Sequence, residues 1–457
     1  MRADRSRLPE VGPDPAFRFP RIARHTLQNG LQVRTVEHPT VPVISMVVQV
    51  DGGAVADPPG REGLAAITAD MLDEGTGSLS AIEVSEGLAR IGAQYDADVG
   101  ADATHVSLTT LQRFADRGAE LLAQLLTQPS LRASDFDRVR QMRLDRLRQM
   151  KDLPSAVAER AFIRLMYGEH PYGHLTIGNA EALGETTLED VTGFHAVRFR
   201  PSCTTITVAG PQTHDGLLRL VTQAFSGWSD VDTLVEAPQP PLDALQPLGE
   251  SRLTVVSREG APQSELRIGH LSARRDSPDY PALLVMNAVL GGEFVSRLNL
   301  KLREEKGYTY GARSGFDWRR GIAPFALRAS VHTAATADAI SDCLAELDGI
   351  RGPRPPSERE MLLAKASLTR GYPRGFETAQ QLVRSVARLA LYGLPDTYFE
   401  EFVPRVQAVE LADVMRVAEQ YVDPARAVAL VVGDYQAIAE SLRSLGLGEP
   451  QLRPADA

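Results

Sequence analysis

A chain of 457 residues is too long for one ordinary core and calls for two or more domains. With 43% apolar and 24% charged residues it has the make-up of a globular protein. A net charge of −10 argues against nucleic acid or an anionic membrane as main partner, because phosphate binding needs a basic face.

Residues 1–21 join Arg2, Arg5 and Arg7 to a proline-rich stretch with no apolar run, which predicts a flexible tail, no secretory signal and no membrane span. A cytoplasmic location is expected, or a periplasmic one if the assigned start hides a leader. Residues 22–235 read as mixed α and β. Asn29-Gly30, between alternating residues, predicts a hairpin, and Val43 to Val50 a buried strand. Helical periods run over 62–73, 80–91, 115–127 and 134–150, with strands over 103–111 and 203–209. This order predicts an α+β sandwich with helices on one sheet face. Residues 236–250 hold four prolines and no apolar period, the mark of a stiff linker. A second half then spans 251–447, and 448–457 form a C-terminal tail.

The halves repeat one another. Leu188, Asp190, Val191, Pro201 and Gly210 recur at the same intervals as Leu411, Asp413, Val414, Pro424 and Gly433. Upstream, Tyr167-Gly168 answers Tyr392-Gly393. Three such matches in one order predict two homologous units. Cys203 and Cys343 lie far apart without metal-ligand spacing and read as buried free thiols.

Residues 63–76 read Gly-Leu-Ala-Ala-Ile-Thr-Ala-Asp-Met-Leu-Asp-Glu-Gly-Thr. This resembles the pitrilysin/insulinase family of zinc metallopeptidases, whose version is Gly-Leu-Ala-His-x-x-Glu-His-Met before a Gly-Thr turn. There two histidines on one helical face hold zinc and the glutamate is the general base. The three positions here are Ala66, Ala69 and Asp70, and two methyl groups neither ligate a metal nor move a proton. The third ligand of the family, a glutamate some way downstream, falls near Leu144 or Asp145, where no glutamate stands. Asp70 with Asp145 would make at most a weak carboxylate pair. His170 and His174 have a ligand-like interval, but Pro171 and Gly173 break the helix that would align them.

Residues 290–310 resemble the second family signature, Leu-Gly-Gly-x-Phe-x-Ser-Arg-Leu, then Leu-Arg-Glu and Gly-x-x-Tyr. The resemblance gives Arg303 and Tyr310 the role of binding the substrate peptide and its developing oxyanion, for which a guanidinium fork and a phenol are suitable donors. Arg297 reads as structural, and Gly291-Gly292 as a tight turn between helices. Tyr95, Asp96 and Ala97 occupy the place of the edge strand on which a substrate backbone pairs. Asp96, Asp98 and Asp102 would make that strand acidic and favour basic peptides.

The resemblance covers about 22–445 and implies two homologous α/β sandwich halves of the LuxS/metallohydrolase-like pitrilysin fold, facing each other as a clamshell. It is closest to short two-half bacterial and mitochondrial members that work as pairs of chains. The zinc motif is lost and the Arg/Tyr signature kept. The expectation is therefore a chain without metal or catalysis of its own, predicted inactive alone. Its partner would be a homologous subunit carrying His-x-x-Glu-His and zinc, and the substrate a short or unfolded peptide. The alternative is an inert peptide-binding or scaffold subunit, as in the core of the respiratory chain.

Overall fold

The computed structural model describes residues 17–230 and 252–454. The linker expected over 236–250 lies outside the described residues, as does most of the expected N-terminal tail.

The first half contributes strands β1 (Ile22–Thr26), β2 (Gln32–Glu37) and β3 (Val43–Asp51), a short ribbon of β4 (Gly75–Thr76) and β5 (Leu79–Ser80), then β6 (Gln94–Val99), β7 (Ala103–Leu111) and β8 (Thr204–Gly210). The second contributes β9 (Leu253–Ser257), β10 (Gln263–Leu271), β11 (Ala312–Phe316), β12 (Pro324–His332), β13 (Val428–Gly433) and β14 (Gln451–Arg453). The two large sheets run β1-β2-β8-β3-β7-β6 and, from the matching edge, β14-β9-β13-β10-β12-β11. In both, the second and third strands are parallel and the third to sixth antiparallel. Only the outermost strand differs: β1 runs antiparallel to β2, whereas β14 runs parallel to β9.

The repeated residues do the same work in both halves. Asp190 accepts the backbone N–H of Thr187 at 2.9 Å and Asp413 that of Glu410 at 2.9 Å, closing capping boxes on the helices Leu188–Arg198 and Leu411–Tyr421. Gly210 and Gly433 end β8 and β13 against the neighbouring strand. A Cβ there would stand 2.7 Å from Ile44 Cγ1 and 2.5 Å from Ser264 Oγ, so only glycine fits.

The helices do not stay on one sheet face, nor within their own half. Leu121, Leu122, Leu125, Leu217 and Val221 pack on one side of the first sheet as expected. The other side, with Val36, Val47 and Ala209, is covered by the helix Ala379–Leu391 of the second half. Reciprocally, Val157, Ala158, Phe162 and Met166 of the helix Pro154–Tyr167 cover Val256, Leu271, Leu430 and Val432 of the second sheet. Each sheet is apolar on both faces, so each needs a helix from the other half.

Polar contacts fasten the same junction. Buried Asp102 accepts hydrogen bonds from the Tyr172 hydroxyl and from the Arg320 backbone N–H, while Gly321 N–H donates to the Tyr172 oxygen. Arg319 lies over the rings of Tyr167 and Tyr172 at 4.9 and 4.8 Å. Arg24 forks onto Asp396, with its shortest contact at 2.6 Å.

Both expected tails are partly built in. Phe19 packs on Phe376 and Phe399 and Phe17 on Tyr372 and Phe376, so residues 17–21 anchor the first half to the second. Gln451–Arg453 is strand, because the outer edge of β9 offers an unpaired ladder.

Candidate functional site

The segment in place of the zinc motif is the helix Leu64–Asp70. Its start is fixed from outside. Gly63 has φ +102, and buried Asp57 accepts the N–H groups of Gly63 and Ala65 at 2.7 Å each. His174 Nε2 lies 3.0 Å from the same carboxylate. Burial pushes the Asp57 carboxyl upward, against those three hydrogen bonds. His174 thus serves as a brace for a helix cap, and His170 accepts the Tyr172 N–H at 3.0 Å and stacks on Tyr167. The two histidines do not converge on a common point.

Ala66 and Ala69 are 2% and 1% exposed, yet belong to none of the apolar clusters. By helical spacing Ala66 shares a face with Asp70, where the motif would present ligands. Asp70 is held by Arg143, whose Nε stands 2.7 Å from Oδ2. Arg143 comes from the helix Ala133–Lys151 and is 14% exposed. Asp70 and Asp145, which at most would have made a weak carboxylate pair, do not meet: Asp145 points to Gln141 and Arg148 on its own helix. A guanidinium thus neutralises the one carboxylate the motif retains.

Zinc, which the resemblance would bring, does not fit these residues. Two methyl groups offer no donor, and Asp70 already has its cation. Among the described residues no group of three His, Cys, Asp or Glu side chains is arranged to hold a metal ion. Around the pair sit Asp73, whose carboxyl burial pushes up to about 6, and Glu74, bonded to Arg138. The Tyr95 hydroxyl is buried beside them without a hydrogen-bond partner among the described residues. Burial drives that phenol well above its usual range, and the charges of Asp73, Asp96 and Asp70 add to the effect.

Tyr95, Asp96 and Ala97 lie on β6, at the open edge of the first sheet. Tyr95 and Ala97 turn toward the first-half core, while Asp96 turns to the opposite face and meets Arg384 at 3.6 Å. Of the three acidic residues expected to favour basic peptides, Asp96 and Asp102 have partners and Asp98 is exposed. Asp96 faces an arginine, and Asp102 is 4% exposed and spent on the junction.

Arg303 and Tyr310 take a different position. Arg303 sits in a π-helical stretch, Leu300–Glu305, with its guanidinium 4.5 Å above the Phe294 ring and 3.3 Å from Glu304. Tyr310 is 89% exposed, and its hydroxyl makes no hydrogen bond among the described residues. The segment between them is pinned by Asn299, which donates to Phe294 O at 2.7 Å and accepts from Ala312 N–H at 3.2 Å. Arg297 is structural, forked onto Glu360 at 2.6 and 2.9 Å. Gly291-Gly292 forms a π-helical turn ending one helix, not a nucleotide loop. Among the described residues Arg303 meets Phe294 and Glu304 of its own half rather than the helix Leu64–Asp70.

Arg143 is the residue the sequence reading missed. Its signal in the sequence is an arginine on the helix Ala133–Lys151, close to the position of the family's third ligand. The Asp57–His174 brace had no local signal.

A profile described as Insulinase (Peptidase family M16) matches residues 32–180, and one described as Peptidase M16 inactive domain matches 185–368. The chain belongs to peptidase family M16, the insulinase family. It is 26% identical to an uncharacterized zinc protease of Mycobacterium tuberculosis, over 96% of this chain and all of that one. Among solved structures it resembles a peptidase M16 inactive domain from Pseudomonas fluorescens, with TM-score 0.82, 23% identity and coverage of 91% and 98%. It also resembles a chain of complex III2 from Candida albicans, with TM-score 0.76, 15% identity and coverage of 93% and 99%. These two structures establish the clamshell fold of the M16 family for this chain, and no helix among the described residues is long and apolar enough to cross a membrane.

Proposed function

We propose that this M16 chain is the non-catalytic subunit of a two-chain zinc peptidase. Its own motif positions are methyl groups and an ion-paired aspartate, so the hydrolytic centre belongs to a homologous partner bearing His-x-x-Glu-His and zinc. The observation that carries the reading is Tyr310, a phenol on an anchored loop, 89% exposed, whose hydroxyl has no hydrogen-bond partner among the described residues. A large polar aromatic so presented is suited to complete a site across an interface. Arg303, backed by Phe294, gives the second donor, and together they bind the peptide carbonyl at the partner's centre. The enclosed space between the chains admits short or unfolded peptides, which pair through backbone hydrogen bonds with strand edges such as β6.

The test is purification of the chain from its own cells under native conditions. Recovery of a homologue with an intact motif, near one to one, supports the reading; recovery of the chain alone refutes it. The likeness to a chain of complex III2 favours a second reading, an inert scaffold subunit. Recovery within a larger assembly that has no motif-bearing homologue would select it.

A further inference from the structure

The helix Ala379–Leu391 lies against β8 and β3 but stands away from β7 and β6, and a cavity of about 530 Å³ opens beneath it. The volume is in the range of sites that hold small molecules. Its floor belongs to the first half. Asp96 and Asp98 project from β6 two residues apart, hence from one face, and Ser107 and His105 stand directly opposite them on β7. Its roof belongs to the second half, where Arg384 and Arg388 follow one another by a single helical turn. One wall thus carries two carboxylates and the other two guanidiniums.

The charges do not satisfy each other well. Arg384 and Asp96 meet at 3.6 Å with side chains 56% and 63% exposed, a pair that contributes little and opens easily. Among the described residues Asp98, which is exposed, makes no hydrogen bond or ion pair, and Arg388 donates only to Ser385 Oγ at 3.1 Å. His105 Nε2 is 3.3 Å from Gln49 Oε1, an additional polar group on the floor. A ligand filling such a space without cost needs an ammonium at the floor and a carboxylate at the roof, joined by a short polar spacer. An isolated cation would meet the two arginines, and an isolated anion the two aspartates.

We infer that the cavity between β6, β7 and the helix Ala379–Leu391 is a binding site for a short zwitterionic peptide of two or three residues. Its free amino end meets Asp98 and Asp96, and its free carboxyl end meets Arg388 and Arg384. Because the walls come from different halves, the ligand bridges the clamshell. The inference needs neither a partner chain nor zinc, so it stands or falls apart from the function proposed above.

Isothermal titration of the full chain with Ala-Ala, N-acetyl-Ala-Ala and Ala-Ala amide tests it. Ala-Ala should bind, and either cap should weaken binding by roughly tenfold. In Asp98→Asn the penalty for acetylation should largely vanish while that for amidation persists; Arg388→Gln should show the converse. Both side chains are exposed, and a thermal melt of each variant confirms that it folds. No heat from Ala-Ala at millimolar concentration, capped peptides that bind as tightly as Ala-Ala, or penalties unchanged in the variants would overturn the assignment. The comparison of the three peptides on the unaltered chain decides by itself if a variant fails to fold.

Discussion

Restoring the lost motif letter by letter should damage the protein without giving it zinc. The variant Ala66→His, Ala69→Glu, Asp70→His puts large side chains at two positions only 2% and 1% exposed. Overpacking at such sites costs about 1–3 kcal/mol each. The third change removes the carboxylate facing Arg143, a cation 14% exposed, and places an imidazole against it. Breaking a fully buried pair costs about 3–5 kcal/mol. Asp70 is 42% exposed, so about 1–2 kcal/mol is the fairer figure here. Together the three changes should cost about 3–8 kcal/mol, a large part of the 5–15 kcal/mol that holds a typical domain together. Arg143 would repel the ion, and no third ligand stands ready among the described residues. The assay is urea unfolding followed by circular dichroism, with and without zinc, alongside metal content by mass spectrometry. A variant that keeps the parent midpoint and holds one zinc per chain would refute the view that the site has been refilled.

Three further predictions concern charge and the junction. The Asp73 carboxyl, raised by burial to about 6, contributes stability that is complete below the ordinary 3.8 and is lost as pH rises through about 6. Asp73→Asn should flatten the thermal midpoint across that window and raise it at neutral pH; an unchanged profile would contradict the burial. Glu360 behaves oppositely, its carboxyl lowered from 4.5 to about 2 chiefly by the Arg297 fork, so its contribution is full above 4.5 and lost as pH falls through about 2. Glu360→Gln should cost about 1–3 kcal/mol at neutral pH in chemical denaturation, and a smaller loss at pH 3 distinguishes this cause from packing. Asp102→Ala leaves the Tyr172 O–H and the Arg320 N–H without an acceptor in the junction and should cost about 2–4 kcal/mol, partly recovered by Asp102→Asn, as read from unfolding midpoints.

Much of the fold could be read from local pattern. The apolar run of β3, the Asn29-Gly30 turn and the helical periods within each half are local signals, and the repeat was visible because Asp190/Asp413 and Gly210/Gly433 answer local geometric needs. What the sequence did not show was which sheet each helix covers. The helices Pro154–Tyr167 and Ala379–Leu391 are amphipathic in the ordinary way, and nothing in their periodicity says that their apolar faces cross to the other half. The same holds for Phe17 and Phe19, whose aromatic partners lie more than 300 residues away. At the site, the absent ligands were plain from Ala66 and Ala69, whereas the ion pair of Asp70 depends on two helices meeting in space. Asp102 looked like part of an acidic edge. Only its tertiary partners, Tyr172 and Arg320, show that its charge is committed elsewhere.

The central claim is that this chain lends donors to another chain's centre, and it is tested most directly on the assembled pair. Arg303→Ala and Tyr310→Phe would be made in this subunit, co-purified with the motif-bearing homologue, and assayed for hydrolysis of an unfolded peptide. Neither side chain contributes to a core, so assembly and thermal stability should be unchanged. Each substitution should lower kcat/KM by roughly 10²-fold or more, the scale of losing one donor to a developing oxyanion. Unchanged turnover in an intact complex would contradict the account.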